Sequence, residues 1–182
     1  GFNVVLFDMR DHGDSTVEDG LVSAGQREYR DILAVWQWIQ DEKDVPPERI
    51  GALGISLGAG TLAIAFEQEP KFQSVFLDSP FSSMGTIIEE ELQFAGFPVF
   101  LTDAAIFAGK VSSGDNLVKY EPINAMKAVG DRSVYITQSL EDIRINIHHG
   151  ESMCEAAQAS VAQDGMAECW FESSGVAHND RD

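Results

Sequence analysis

A five-residue motif near the first third of the chain has the residues needed for nucleophilic catalysis. Gly54-Ile55-Ser56-Leu57-Gly58 matches the pattern G-x-S-x-G and lies between an apolar run and a segment of helical composition. A turn from strand to helix strains the serine backbone and exposes its hydroxyl at the end of the strand. We therefore expect Ser56 to be a nucleophile and the Leu57 amide to stabilise an oxyanion. We also expect Gly54 and Gly58 to remove Cβ atoms that would collide in the turn.

A serine hydroxyl is a poor nucleophile at neutral pH, so the motif needs a histidine base and a carboxylate that orients it. His178 follows the last apolar run, and Asp142 follows the apolar run at 134–137. The order Ser56, Asp142, His178 is the nucleophile–acid–base order of one serine-hydrolase architecture. These three residues predict a catalytic triad for acyl transfer that needs no metal ion and no organic cofactor.

Two further residues are predicted to border the same pocket. Asp78 also ends a predicted strand and is a second candidate for the acid, although it could instead accept backbone hydrogen bonds in the turn before Pro80. His12 lies in a polar turn after the first apolar run, where we expect it to shape the pocket rather than to react.

The adjacent pair His148 and His149, with acidic residues nearby, could suggest a metal site. Neighbouring side chains diverge on a regular backbone, and no cysteine or third histidine lies at ligand spacing. We therefore interpret the pair as structural and predict no metal site.

The elements that must position these residues alternate along the chain. Short apolar runs alternate with longer segments of helical period, a pattern typical of an α/β fold with a mostly parallel sheet flanked by helices. Ser23 is predicted to cap the first helix, which Pro46-Pro47 would end, and a buried helix is expected over 57–66. The predicted strands are Phe2–Phe7, Ile50–Gly54, Ser74–Leu77, Ser133–Thr137 and Glu168–Phe171.

The alternation stops between residues 81 and 126, where we predict a helical cap inserted into one domain. The core of that domain would consist of residues 1–80 and 127–182. The apolar side chains of the cap could contact an acyl group of a substrate or could form the cap's own core. They are Phe94, Phe97, Phe100, Leu101, Ile106 and Phe107.

Composition excludes some partners. Thirty acidic and 12 basic side chains give a net charge of −18 and a pI near 4.3, which disfavours nucleic acid and anionic membrane surfaces. The longest mainly apolar stretch, Phe94–Gly109, contains Thr102 and Asp103 and is too short to span a bilayer. The chain has two cysteines and opens on an apolar run without a secretion signal, so we expect reduced thiols and a cytoplasmic location.

Five motifs in order give the chain a resemblance to the α/β-hydrolase superfamily, nearest to serine esterase-like or "cell-surface hydrolase" members. The motifs are 2–15, 54–58, 78–81, 141–142 and 175–178. The resemblance implies an eight-stranded, mostly parallel sheet with a cap between the sixth and seventh strands. It also implies that this chain begins at the fourth strand and lacks the N-terminal strands, one of which lies between Phe2–Phe7 and Ile50–Gly54 in relatives.

The function predicted from these observations is a serine hydrolase that cleaves carboxylic esters or related acyl compounds. Peptidase and thioesterase activities remain open, because the same triad serves all acyl transfers. A catalytically silent homologue is the alternative from another class. Its exposed strand edge would serve ligand binding or assembly into a homo-oligomer.

Overall fold

The computed structural model describes residues 1–173. In it, four short apolar segments form the strands of one parallel sheet. The order in the sheet is the order in the sequence, so each connection crosses over between parallel strands. The strands are β1 (Gly51–Ile55), β2 (Ser74–Asp78), β3 (Ser133–Ser139) and β4 (Met166–Glu172). The α/β class and four of the five predicted strands are confirmed.

The helices fill the connections before and between these strands. Two single 3₁₀ turns, Pro47–Arg49 and Val99–Leu101, precede β1 and the fourth α-helix. The α-helices are α1 (Tyr29–Lys43), α2 (Leu57–Gln68), α3 (Met84–Phe94), α4 (Thr102–Ser113), α5 (Pro122–Met126) and α6 (Ile147–Ser160).

The first helix begins later than predicted. Ser23 does not cap α1, which starts at Tyr29; instead the Ser23 hydroxyl donates to the buried carboxylate of Glu28, at 2.5 Å. A buried carboxylate needs several donors, and the turn at 23–28 supplies them, so Ser23 serves the turn rather than the helix. At the other end, Asp44 adopts a left-handed conformation and Pro46 follows, which stops the helix as predicted.

The core of the described chain surrounds α2. Eight consecutive residues of this helix, Ala59–Phe66, are buried, so the helix is apolar on all sides. It packs against β1, β2, α1 and α5. Ala125 and Met126 of α5 and Met153 of α6 belong to the same apolar cluster.

The prediction of a strand at Phe2–Phe7 is wrong. Residues 1–9 have no secondary structure, and Phe2 and Leu6 are almost fully exposed. A strand needs a hydrogen-bonded neighbour, and no described strand pairs with the outer edge of β1. Leu53 and Ile55 of that edge strand are exposed as well.

The segment between β2 and β3 consists of helices, as predicted. In α3 and α4 no residue is buried, and Phe94, Phe100 and Phe107 are largely exposed. These aromatic side chains therefore do not form a core of their own. The division into a core at 1–80 and 127–182 and a cap at 81–126 stays a prediction.

The two cysteines form a disulfide between Cys154 of α6 and Cys169 of β4, so the expectation of reduced thiols is wrong. Their Cα atoms lie 6.1 Å apart, because α6 packs directly on β4 and brings two residues from different elements together.

Among residues 1–173, no helix has the length and apolar character that crossing a membrane requires.

Candidate active site

The register of the sheet brings the predicted site residues to one edge. Ile55 pairs with Asp78, and Asp78 pairs with Thr137, so β1 and β2 end at the same level and β3 continues two residues further, to Ser139. Ser56 directly follows β1, and Asp142 lies in the loop that follows β3. Ligands in open parallel sheets bind at this edge, outside the carboxyl ends of the strands.

Ser56 has the strained backbone that the motif predicts. Its φ of +52° and ψ of −117° lie outside the common regions for a residue with a side chain. The Ser56 N–H donates to the carbonyl of Asp78 at 2.8 Å, and the Ser56 carbonyl accepts from Ala59 and Gly60 at 3.0 and 3.1 Å. These bonds join the turn to β2 on one side and to α2 on the other, which holds the strained conformation in place.

The two glycines of the motif have different roles. A Cβ on Gly54 would lie 2.5 Å from the carbonyl oxygen of Gly58, so the strand and the helix can approach only without that atom. A Cβ on Gly58 would meet no atom of the described chain within 4 Å outside its own helix turn and its neighbours. The prediction of a collision is therefore confirmed for Gly54 and wrong for Gly58.

Leu57 is the first residue of α2, where backbone N–H groups have no acceptor within the helix. The positive end of the helix dipole lies at the same place. Both features suit an amide that stabilises an oxyanion beside Ser56. This role of Leu57 stays a prediction.

Asp142 is buried, and backbone amides fix its carboxylate. The Asp142 Oδ1 accepts from the N–H groups of Arg144 and Ile145 at 2.9 and 2.8 Å. The Asp142 Oδ2 lies 3.4 Å from the Gln138 side-chain nitrogen, and that nitrogen also donates to the Ile145 carbonyl at 2.7 Å. An orienting acid needs such a fixed carboxylate.

Asp78, the alternative acid, is hydrogen-bonded to the backbone of Ser56. It is buried at the end of β2, its carbonyl receives the Ser56 N–H, and its Oδ1 accepts from the Ser79 hydroxyl at 3.2 Å. These contacts fit the turn role that the sequence also allows. The choice between Asp142 and Asp78 as the acid stays a prediction.

The predicted base, His178, lies outside the described residues. β4 ends at Glu172, six positions before it in sequence, at the same edge of the sheet as Ser56. His12 is half-buried in the turn that follows the segment 1–9, with its Nδ1 2.8 Å from the Arg10 carbonyl oxygen. Its role at a pocket stays a prediction.

A cluster that the sequence did not predict joins α3 to α6. Glu90 of α3 contacts both adjacent histidines: its Oε1 lies 2.5 Å from His148 Nε2 and its Oε2 lies 3.1 Å from His149 Nε2. His149 is fully buried, and burial lowers its pKa. Burial opposes ionisation of Glu90 too, but the hydrogen bonds from both histidines outweigh it and hold the pKa of Glu90 below its ordinary value. Glu90 is 58 positions from His148 in sequence, so the spacing could not reveal the cluster.

A cleft of about 680 Å³ separates α3 from the loop of Asp142. This volume lies in the range of ligand pockets, about 300–1,000 Å³. Its walls are formed on one side by Ile87, Glu90 and Phe94, and on the other by Asp142, Arg144 and Asn146. The cleft therefore connects the acid loop to the Glu90 cluster.

A parallel sheet with a strained serine between β1 and α2 defines the α/β-hydrolase fold, as the sequence resemblance implies. The model of the prolyl oligopeptidase family matches residues 1–175, and the chain belongs to that family.

Solved structures support the fold. An esterase of Pyrococcus furiosus superposes with a TM-score of 0.67 at 20% identity, over 94% of this chain and 61% of that one. The acylaminoacyl peptidase of Pyrococcus horikoshii gives 0.61 at 20% identity, over 86% of this chain and 24% of that one.

A curated relative gives a closer match in sequence over a shorter span. The chain is 31% identical over 103 residues to the uncharacterized 31.7 kDa protein in the traX-finO intergenic region of Escherichia coli. That match covers 56% of this chain and 35% of the relative. The chain thus spans about a third of the curated relative and about three fifths of the esterase.

Proposed function

We propose that the protein is a serine hydrolase that cleaves carboxylic esters or related acyl compounds. The observation that carries the proposal is the conformation of Ser56, which is strained, fixed by β2 and α2, and placed at the end of β1. Strained backbone of this kind persists where the surrounding structure enforces it, and it clusters at active sites.

In the proposed mechanism the Ser56 Oγ attacks the acyl carbonyl carbon while His178 takes the hydroxyl proton. The carbonyl oxygen becomes an oxyanion, which the Leu57 amide stabilises. The intermediate collapses to an acyl-enzyme as His178 returns the proton to the leaving alcohol. Water then attacks the acyl-enzyme while His178 takes a proton from it, and His178 gives that proton to the Ser56 Oγ as the carboxylic acid leaves. Asp142 holds the imidazole throughout.

The comparisons support this class without choosing the substrate. The family is named for a peptidase, and the superposed structures include an esterase and an acylaminoacyl peptidase. We propose a carboxylic ester as substrate, in line with the superposed esterase. Amide hydrolysis is the competing outcome, and paired ester and anilide substrates with the same acyl group measure it.

The experiment that tests the mechanism is labelling with a fluorophosphonate, followed by intact-mass analysis and peptide mapping. We expect one adduct per chain, on Ser56, and none in the Ser56→Ala variant. Ser79→Gly is a matched control, since Ser79 also has a positive φ at the end of a strand and its loss should leave labelling unchanged. Labelling that persists in Ser56→Ala, or a folded chain without an adduct, would contradict the proposal.

The acid is assigned by two amide substitutions. We propose that Asp142→Asn lowers turnover more than Asp78→Asn, because the Asp142 carboxylate is fixed by backbone amides. Circular dichroism of both variants separates lost catalysis from lost folding. A larger loss of turnover for a folded Asp78→Asn would exchange the two roles.

A catalytically silent homologue that self-associates is the second candidate. The observation in its favour is the outer edge of β1, which pairs with no strand of residues 1–173 and where Leu53 and Ile55 are exposed. Sedimentation across a dilution series, together with turnover measurements, tests it. A dimer that survives dilution and an absence of turnover would support this candidate, whereas turnover that depends on Ser56 would exclude a silent protein.

The compartment is proposed from two observations that point in opposite directions. The sequence favours the cytoplasm, but the Cys154–Cys169 disulfide favours an oxidising compartment, where such bonds persist. Alkylation of the protein at the moment of cell lysis, followed by mass analysis, decides between them. Alkylation of both cysteines would support a cytoplasmic location, and alkylation of neither would contradict it.

A further inference from the structure

The Glu90 cluster brings three metal-binding side chains to one point. Glu90 comes from the middle of α3, and His148 and His149 come from the first turn of α6. One ligand atom from each residue lies within 4.8 Å of the other two. Since helices from different parts of the chain converge here, the cluster is a product of the fold.

We propose that Glu90, His148 and His149 bind a divalent transition-metal ion of the zinc class. Imidazole nitrogens and carboxylate oxygens are ordinary zinc ligands, and two histidines with one glutamate leave a fourth position for water. Ligands about 2.0–2.1 Å from a tetrahedral ion lie about 3.4 Å apart. The present separations of 2.5 and 3.1 Å are shorter than that value, so the side chains would have to move apart by up to about 1 Å to admit an ion.

The buried histidine has a partner that can orient it. The Nδ1 of His149 lies 2.7 Å from the Ser82 hydroxyl and 3.2 Å from the Ser82 backbone nitrogen. Metal-binding histidines generally donate their second ring N–H in a hydrogen bond, whereas this Nδ1 accepts from the Ser82 backbone N–H. With an ion on Nε2, the Nδ1 proton would be donated to the Ser82 hydroxyl, and the backbone N–H would lose this acceptor.

The cluster is accessible from solvent. Glu90 also lines the cleft beside Asp142, and the His148 side chain is about half-exposed, so an ion has a path to the ligands. The occupied site would tie the first helix of the cap to α6. The metal would thus fix one wall of the cleft.

The competing explanation is a set of hydrogen bonds that joins the two helices without an ion. The net charge of −18 would also attract cations in general. Selectivity distinguishes these cases, because magnesium and calcium prefer oxygen ligands, whereas imidazole favours zinc-class ions.

The test is a calorimetric titration of the full chain with zinc chloride in the presence of excess magnesium. The protein is first treated with a chelator and dialysed. We expect one zinc ion per chain at this site. Glu90→Gln and His148→Asn should each weaken binding more than about tenfold, and Ser82→Ala by about 10–100-fold through His149. Glu89→Gln, a half-buried neighbour on α3 whose carboxylate accepts from the Gln93 side chain, is the matched control and should bind as the parent does.

Two measurements keep the result unambiguous. A His178→Asn background removes zinc held by the proposed catalytic histidine, and circular dichroism shows that each variant is folded. Visible absorption of the cobalt-substituted chain reports nitrogen ligation directly, and its loss in His148→Asn would support the site. Zinc binding that is unchanged in the folded Glu90→Gln and His148→Asn variants would overturn the proposal. So would zinc binding that is absent in the parent or abolished by magnesium.

Discussion

Two helices of equal length, α2 and α4, contrast the two regions of this molecule. Both have 12 residues and a high content of small and apolar side chains. Eight residues of α2 are buried, whereas none of α4 is. The difference teaches that apolar composition alone does not decide burial: α2 lies between the sheet, α1 and α5, while α4 packs chiefly on α3.

The contrast has a consequence for the candidate site. Ser56 begins the buried helix, and its strained backbone needs surroundings that cannot relax. Helix α3 forms one wall of the cleft, and neither α3 nor α4 contributes a buried side chain. We expect the region with few buried contacts to open more readily than the core around α2.

The largest expected effect compares two phenylalanines. Phe66 of α2 is fully buried beneath the Arg132 guanidinium, and Phe107 of α4 is 68% exposed. Phe66→Ala should lower the free energy of unfolding by about 3–5 kcal/mol, because it removes buried area and leaves a cavity. Phe107→Ala should change it by less than about 0.5 kcal/mol. Urea unfolding measures both, and equal losses would remove the distinction between the regions.

The two glycines of the G-x-S-x-G motif, Gly54 and Gly58, allow a comparison of two positions within the core region. Gly54→Ala should destabilise the protein by about 3 kcal/mol, because its Cβ collides with the backbone of α2. Gly58→Ala should stabilise it by up to about 1 kcal/mol, since alanine favours a helix and its Cβ meets open space. Thermal unfolding with both variants checks this, and a stable Gly54→Ala would show that the strand and helix approach less closely.

The disulfide tests how far the rigid region extends to α6 and β4. It closes a loop of 15 residues, so Cys154→Ala with Cys169→Ala should cost roughly 3 kcal/mol, within the usual range of 2–4. The parent protein with a reductant should show the same loss in denaturant unfolding. An unchanged midpoint of denaturant unfolding would show that the disulfide does not stabilise the packing of α6 on β4.

The smallest expected effect is on the stability of the protein at acidic pH. Burial alone would raise the pKa of Glu28, but hydrogen bonds from Ser23 and Gly25 outweigh it and hold that pKa below its ordinary 4.5. The folded form therefore binds fewer protons than the unfolded form, and its stability should be present above pH 4.5 and fall as the pH drops through the folded pKa. Glu28→Gln should flatten this fall. Unfolding curves between neutral and acidic pH measure it, and an equally steep fall in the variant would contradict the assignment.

The elements that could be predicted from sequence are those whose local pattern matches their tertiary surroundings. The runs at 74–77 and 133–137 became strands because parallel neighbours lie on both sides of each. Phe2–Phe7 has a similar apolar pattern but no described neighbour, so the same local signal gave no strand. The cysteine pair was missed because the approach of α6 to β4 is not visible in spacing.

The sequence by itself determined the α/β class, the position of the G-x-S-x-G motif, and the order of the candidate triad residues, because these depend on local periodicity and on residue type. Only the tertiary structure decided that Gly54 and not Gly58 is needed by close packing, and that the Asp142 carboxylate is held by two amides. It alone brought Glu90 to His148 and His149. The physical reason is that hydrogen bonds, collisions and ligand clusters depend on which distant segments meet, and that is a property of the packed chain.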